Sequence, residues 1–125
     1  MIMRIAIPYW QGRVSPVFDE ASCLMLVEVL DGREVRRETR TLTHLDPLRR
    51  TREVSQMGTE VLICGAISRP LEMALSDAGV TTIAQTCGSV EEVLAAFING
   101  RLDSDAYMMP GCRRRGSPLS RRHRG

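Results

Sequence analysis

TEVLICGAISRPLEMALSDAGVTTIAQTCGSVEEVLAAFINGRL, residues 59–102, is the stretch whose reading decides the fold. It reads strand, helix, strand, helix. Val61-Leu62-Ile63 is a short apolar run of the buried-strand type, and Cys64-Gly65 follows it. Ser68 is placed to cap the next helix, with Pro70 tolerated in its first turn. Leu71, Ala74, Leu75 and Ala78 share one face of that helix, and Gly79 ends it. Residues 80–84 are β-branched enough for a second strand. After Gln85-Thr86-Cys87-Gly88, Ser89 and Glu92 form a capping box. Val90, Val93, Leu94, Phe97 and Ile98 then keep helical spacing up to Asn99-Gly100. Strands joined by a helix are parallel neighbours with right-handed crossovers. Both Cys-Gly loops therefore leave one edge of the sheet, the carboxyl edge where open α/β sheets bind ligands.

Towards the N-terminus, Met3-Arg4-Ile5-Ala6-Ile7 predicts a first strand, which Pro8 is expected to stop. Residues 9–20 predict a long loop, of the kind that often carries function, and it is dense in aromatic residues for a chain only 4% aromatic. Two readings stand for Trp10 and Phe18: they plug the sheet edge, or they face a ligand. Cys23–Leu30 is a strong second strand in which Cys23 reads as a small core hydrophobe. Asp31-Gly32 signals a hairpin, and residues 33–42 suit an exposed edge strand protected by its charges. Asp46 and Pro47 open a helix whose apolar face is expected to be Leu48, Val54 and Met57; Arg49, Arg50, Arg52 and Glu53 are read as solvated. His44, alone in the preceding loop, reads as a surface or structural residue.

The length, 125 residues, predicts one domain over residues 1–102, followed by a connector and tail over residues 103–125. Fifteen acidic residues and eleven arginines precede Cys112, a net of −4; six arginines and no acid follow it, giving the overall +2. That tail has little to bury and is expected to be disordered in isolation, serving as a solubilising or docking extension, on an acidic partner more readily than on nucleic acid. No apolar run reaches membrane-spanning length and the first residues lack a signal-peptide layout, so the cytoplasm is the expected location. There, Cys23, Cys64, Cys87 and Cys112 read as free thiols or metal ligands rather than disulfides.

Several chemistries lack their residues. Neither GxxxxGK[ST] nor GxGxxG is present, nor CxxC, HExxH or a nucleophile elbow. The first strand carries no carboxylate, which argues against a two-metal nuclease. A Cys87 nucleophile would lack a neighbouring histidine. Thiols remain. Cys64 and Cys87 sit at matching strand exits, and Cys112 follows a Pro-Gly turn. Thiolates select soft metals and iron–sulfur or molybdenum–sulfur clusters, and turn amides suit anionic sulfides. A helix N-terminus favours a thiolate or bound anion beside Cys87. Cys64 has an alternative reading as a thiol buried at a strand end, and Cys112 as an incidental thiol. The candidate site is the groove between three segments: Trp10, Arg13, Ser15 and Asp19; Cys64, Gly65 and Ser68; and Cys87, Gly88 and Ser89. Cys112 is a further candidate ligand.

The series IAIP (residues 5–8), GRVSPVFDEA (12–21), LMLVEV (24–29), VLICGAISRPLEMALSDAGV (61–80) and GSVEEVLAAFINGRL (88–102) resembles the dinitrogenase iron-molybdenum cofactor biosynthesis family, of the NifX and NifB C-terminal-domain type. The resemblance implies a ribonuclease H-like α/β fold with a five-stranded mixed sheet, three strands followed by α-β-α-β-α. It also implies a non-catalytic protein that binds or carries iron-molybdenum cofactor, its precursor or another metal–sulfur cluster between donor and acceptor proteins, without membrane association and with a homo-oligomer open. Many members read SPHF in the first loop; this chain reads Ser15-Pro16-Val17-Phe18, so the imidazole is absent and either thiols replace it or the cluster is not held. The other class of reading is a metal-free regulatory module that docks through its arginine tail.

Overall fold

Alternating apolar residues in short strands give this chain its layers. A computed structural model describes residues 2–100. In chain order these form β1 (Ile2–Trp10), β2 (Arg13–Val14), a single 3-10 turn (Phe18–Glu20), β3 (Cys23–Leu30), β4 (Arg33–Thr41), α1 (Pro47–Gln56), β5 (Val61–Ile63), α2 (Arg69–Asp77), β6 (Thr81–Ile83) and α3 (Val90–Ile98). The sheet runs β4-β3-β1-β5-β6, and β2 pairs with β1 alone. β1, β5 and β6 are parallel; β3 runs antiparallel to both β1 and β4. The expected connector and tail, Cys112 included, lie outside the described residues.

Strand periodicity sends successive side chains to opposite faces. Ile5, Ile7, Val27, Val29, Val61 and Ile63 fall on one face, beneath Val90, Val93 and Leu94 of α3. Ala6, Leu24, Leu26, Leu62 and Cys64 fall on the other, beneath Val54 of α1 and Leu71 and Leu75 of α2. The result is a mixed sheet between one helix and two.

The structure corrects four expectations. The described residues form six strands rather than five, because residues 13–14 fold back on the end of β1. The intervening Gln11 and Gly12 both have positive φ, 53° and 79°, as in the Asp31-Gly32 turn, 51° and 78°. Both are tight two-residue hairpins; glutamine at the first position hid this one. Second, Pro8 does not stop β1. Its carbonyl accepts from Ser15 N at 2.9 Å, on the β2 side. Its imino nitrogen points the same way, so the missing N–H costs no bond to β3. Third, α1 buries Arg50 and Thr51 in place of Leu48, while Val54 is buried and Met57 packs partly against the same cluster as expected. Arg50, Thr51 and Val54 are buried, while Leu48 is 69% exposed. Residues 50, 51 and 54 share a helical face that residue 48 does not. Fourth, Ser68 stands at the N-cap of α2 without a side-chain capping bond. The Asp46 and Ser89 caps form as expected, accepting from Arg49 N and Glu92 N, each at 3.1 Å.

Glu53 fastens the entry to α1. It accepts from Thr43 Oγ1 at 2.8 Å and from the Thr43 and His44 amides at 3.1 Å. Burial alone would raise its pKa. The hydrogen bonds from Thr43 and His44, with the nearby His44 ring, outweigh burial and hold the carboxyl below its ordinary range. A folded value below the unfolded one, about 4.3, stabilises the protein above that pH and loses the contribution as pH falls through the folded value. Glu53→Gln should therefore be less stable than wild type by about 1–2 kcal/mol at pH 7. In urea titrations the difference should shrink as the pH is lowered from about 5 to about 3. A difference independent of pH would show that the carboxylate charge contributes nothing.

Candidate functional site

Because β1, β5 and β6 are parallel, their C-terminal ends lie at one edge of the sheet. Three loops meet there, and backbone hydrogen bonds stitch them together. Ala66 N donates to Pro16 O and Phe18 N to Ala66 O, both at 2.8 Å, forming a short parallel bridge between the first loop and the β5 exit. Val14 N donates to Gly88 O and Val90 N to Gly12 O, both at 2.9 Å, joining the β1–β2 hairpin to the β6 exit. Gln85 N to Gly65 O and Thr86 N to Cys64 O, each 2.9 Å, link the two exits to each other.

Gly65 permits the first stitch. A Cβ placed there would lie 2.5 Å from Pro16 O and 2.6 Å from Ser15 O, both backbone atoms. Asp19, half-buried in the 3-10 turn, accepts from Ser68 N at 2.8 Å. It thus supplies the α2 cap that the Ser68 hydroxyl does not. Phe18 is fully buried below the turn, whereas Trp10 is 62% exposed at the hairpin tip. The two readings of these aromatics divide: Phe18 plugs the sheet edge and Trp10 faces solvent. Trp10 flanks an open recess of about 360 Å³ whose wall continues through Ser15, Pro16 and Val17 to residues 20–22.

Two helix N-termini and several carboxylates set the electrostatics of this edge. α2 and α3, nine residues each, both begin at it, so both helices direct their positive ends there. Arg13 is exposed on β2. The acidic side chains Glu72, Glu91 and Glu92 in the first turns of the two helices, Asp19 on Ser68 N and Glu20 beside the recess offset this field.

Of the residues singled out from the sequence, the edge brings together Trp10, Arg13, Ser15, Asp19, Gly65, Ser68, Cys87, Gly88 and Ser89. Ser15 is buried beneath the loop and Cys87 is half-buried. Cys64 does not join them. Its thiol is fully buried and belongs to the apolar cluster under α1 and α2. Burial, with Glu72 and Asp19 nearby, pushes that thiol well above its ordinary pKa. A neutral thiol inside a core is neither nucleophile nor ligand. Among the described residues no three His, Cys, Asp or Glu side chains are grouped to hold a metal ion. In the folded protein at pH 8, iodoacetamide should label Cys23 and Cys87, both half-buried, and reach Cys64 only after unfolding. Prompt native labelling of Cys64, read by peptide mass mapping, would put its thiol in the groove.

The sequence reading missed the β1–β2 hairpin and the role of Arg50 from α1. Arg50 donates from Nη1 to Ala21 O at 2.8 Å, and its guanidinium lies 5.3 Å from the centre of the Phe18 ring. The first was signalled by Gly12. The second had no local signal, because the contact spans twenty-nine residues.

Comparisons place this geometry among known proteins. A family profile described as dinitrogenase iron-molybdenum cofactor matches residues 1–100. None of the curated proteins matches the chain. Among solved structures, the apo form of the orange protein from Desulfovibrio gigas superposes with a TM-score of 0.68 at 22% identity, over 85% of this chain and 95% of that one. A candidate dinitrogenase from Methanocaldococcus jannaschii gives 0.65 at 17% identity, over 81% and 92%. A candidate NifB protein from Thermotoga gives 0.63 at 25% identity, over 79% and 90%.

Proposed function

The chain belongs to the dinitrogenase iron-molybdenum cofactor family, and from that premise we propose that it binds and carries an anionic metal–sulfur cluster, iron-molybdenum cofactor, its precursor or a related Fe/Mo–sulfur species, as a non-catalytic assembly protein. The observation that carries the reading is the convergence of two helix N-termini and a stitched first loop at one sheet edge. Backbone amides and positive helix ends hold anions without needing a protein coordination shell. This suits a chain with Val17 where many members have histidine, and with the Cys64 thiol turned into the core. In this reading Trp10, Arg13, Gly88 and Ser89 contact the cargo and Cys87 supplies the thiol of the edge, while Gly65 and the Asp19–Ser68 pair hold the frame. Setting the short β2 aside, the sheet order becomes third-second-first-fourth-fifth with the second strand antiparallel, which supports a ribonuclease H-like description. Cluster donor and acceptor proteins are the partners, and the cytoplasm is the location; no helix of the described residues is long and apolar enough to cross a membrane.

Trp10 is the chain's single tryptophan and it stands at the rim. Protein incubated anaerobically with iron, sulfide and molybdate should acquire visible charge-transfer absorption, and Trp10 fluorescence should be quenched in step with it. The quenching should saturate at one cluster per chain. Absorption without quenching would move the cluster away from this edge. Neither signal, at any ratio of metal to protein, would remove the carrier reading.

A further inference from the structure

Arg50 heads the largest fully buried side chains of the described residues, at 1% exposure. Burying a charged group costs free energy unless partners compensate. Yet no ion pair includes it among the described residues, and its Nε has no hydrogen-bond partner. Its hydrogen-bond acceptor, the Ala21 carbonyl, and the Phe18 ring both lie on the first loop, one on each side of Asp19, and the Glu53 and Asp19 carboxylates attract its charge without forming an ion pair. Asp19 in turn holds Ser68 N at the start of α2, and Phe18 N holds Ala66 O at the β5 exit. A space-filling role would be met by an apolar side chain, as it is throughout the surrounding cluster of Leu24, Leu42, Val54 and Leu71. A guanidinium offers two features that an apolar side chain lacks: directed N–H donors and a flat face that stacks on an aromatic ring.

We infer that Arg50 is a positioning residue of the proposed site: from α1, which lends no residue to the sheet edge, it holds the 3-10 turn so that Asp19 caps α2 and the first loop keeps its shape before any ligand arrives. The role rests on the cargo reading only for its purpose; the mechanical coupling stands on the contacts themselves.

The test is amide hydrogen exchange on the ligand-free full chain, followed by cluster retention after anaerobic reconstitution. Three amides report on the chain of contacts: Phe18 and Ala21 in the loop, and Ser68 at α2. In Arg50→Met they should exchange at least about tenfold faster, while amides between β3 and β4 stay within about twofold of wild type. Arg50→Lys, which keeps one donor but no flat face, should fall between. Cluster retention should drop in the same order. If Arg50→Met folds and the three amides stay within about twofold of wild type, the inference is overturned. If Arg50→Met does not fold, Phe18→Leu removes the stacking surface and keeps the arginine. The same three amides should then loosen ahead of the rest, and uniform acceleration of all amides would make Arg50 a mere core filler. Wild-type protein that takes up no cluster would overturn the proposed function and leave the exchange result to decide the coupling.

Discussion

Gly65→Ala should cost about 3 kcal/mol in urea unfolding and detach the first loop from the β5 exit. The added Cβ would meet two backbone carbonyl oxygens, Pro16 O at 2.5 Å and Ser15 O at 2.6 Å. No rotamer change relieves a contact with main chain, so residues 15–17 must retreat. Retreat breaks the 2.8 Å bonds that Ala66 makes to Pro16 and Phe18. The variant should therefore lose protection at the Ala66 and Phe18 amides and, under the proposed function, lose cluster uptake with it. Gly12→Ala is the control. Open space surrounds Gly12, and the penalty there comes from φ of +79° alone, about 1–2 kcal/mol. Equal costs for the two substitutions would show that the loop gives way freely and that Gly65 holds no close approach.

Phe18→Ala is expected to have the largest effect on stability of any substitution in the loop, about 3–5 kcal/mol. The ring is wholly buried among Ala6, Leu24, Leu62 and Leu71, and the guanidinium of Arg50 stacks on it. Truncation opens a cavity and removes the ring on which the buried guanidinium lies. Against a total domain stability of about 5–15 kcal/mol, such a loss leaves a marginal protein. Leu48→Ala removes an aliphatic side chain from a residue that is 69% exposed, and should shift the urea midpoint by no more than about 0.5 kcal/mol equivalent. Urea unfolding followed by circular dichroism on both variants checks these placements: a large loss from Leu48→Ala would put Leu48 in the core, where its apolar character suggested it.

Much of the architecture was legible because it is written locally. The run Val61-Leu62-Ile63, the caps Asp46 and Ser89, and the Asp31-Gly32 turn each declare themselves within a few residues, and the structure has them all. The edge where the strand exits gather followed from the same signals, since two parallel β-α units place their exits together. Residue choice within the site was less legible. Cys64 and Gly65 are neighbours in sequence with opposite fates. Strand alternation sends the Cys64 side chain into the core, and the glycine takes the backbone contact with the first loop.

The sequence by itself determined the order of the three helices and of every described strand except β2, the parallel pairing of β5 and β6, and the edge at which the loops gather, because each depends on short-range periodicity and connection length. Tertiary structure alone decided which way the Cys64 thiol turns, that Arg50 is buried beneath the loop, and that residues 13–17 lie against residues 66 and 88–89. Those outcomes depend on one residue of register and on contacts between segments twenty-nine to about seventy-five residues apart. No local pattern encodes such contacts; they exist only once the sheet has packed its two faces.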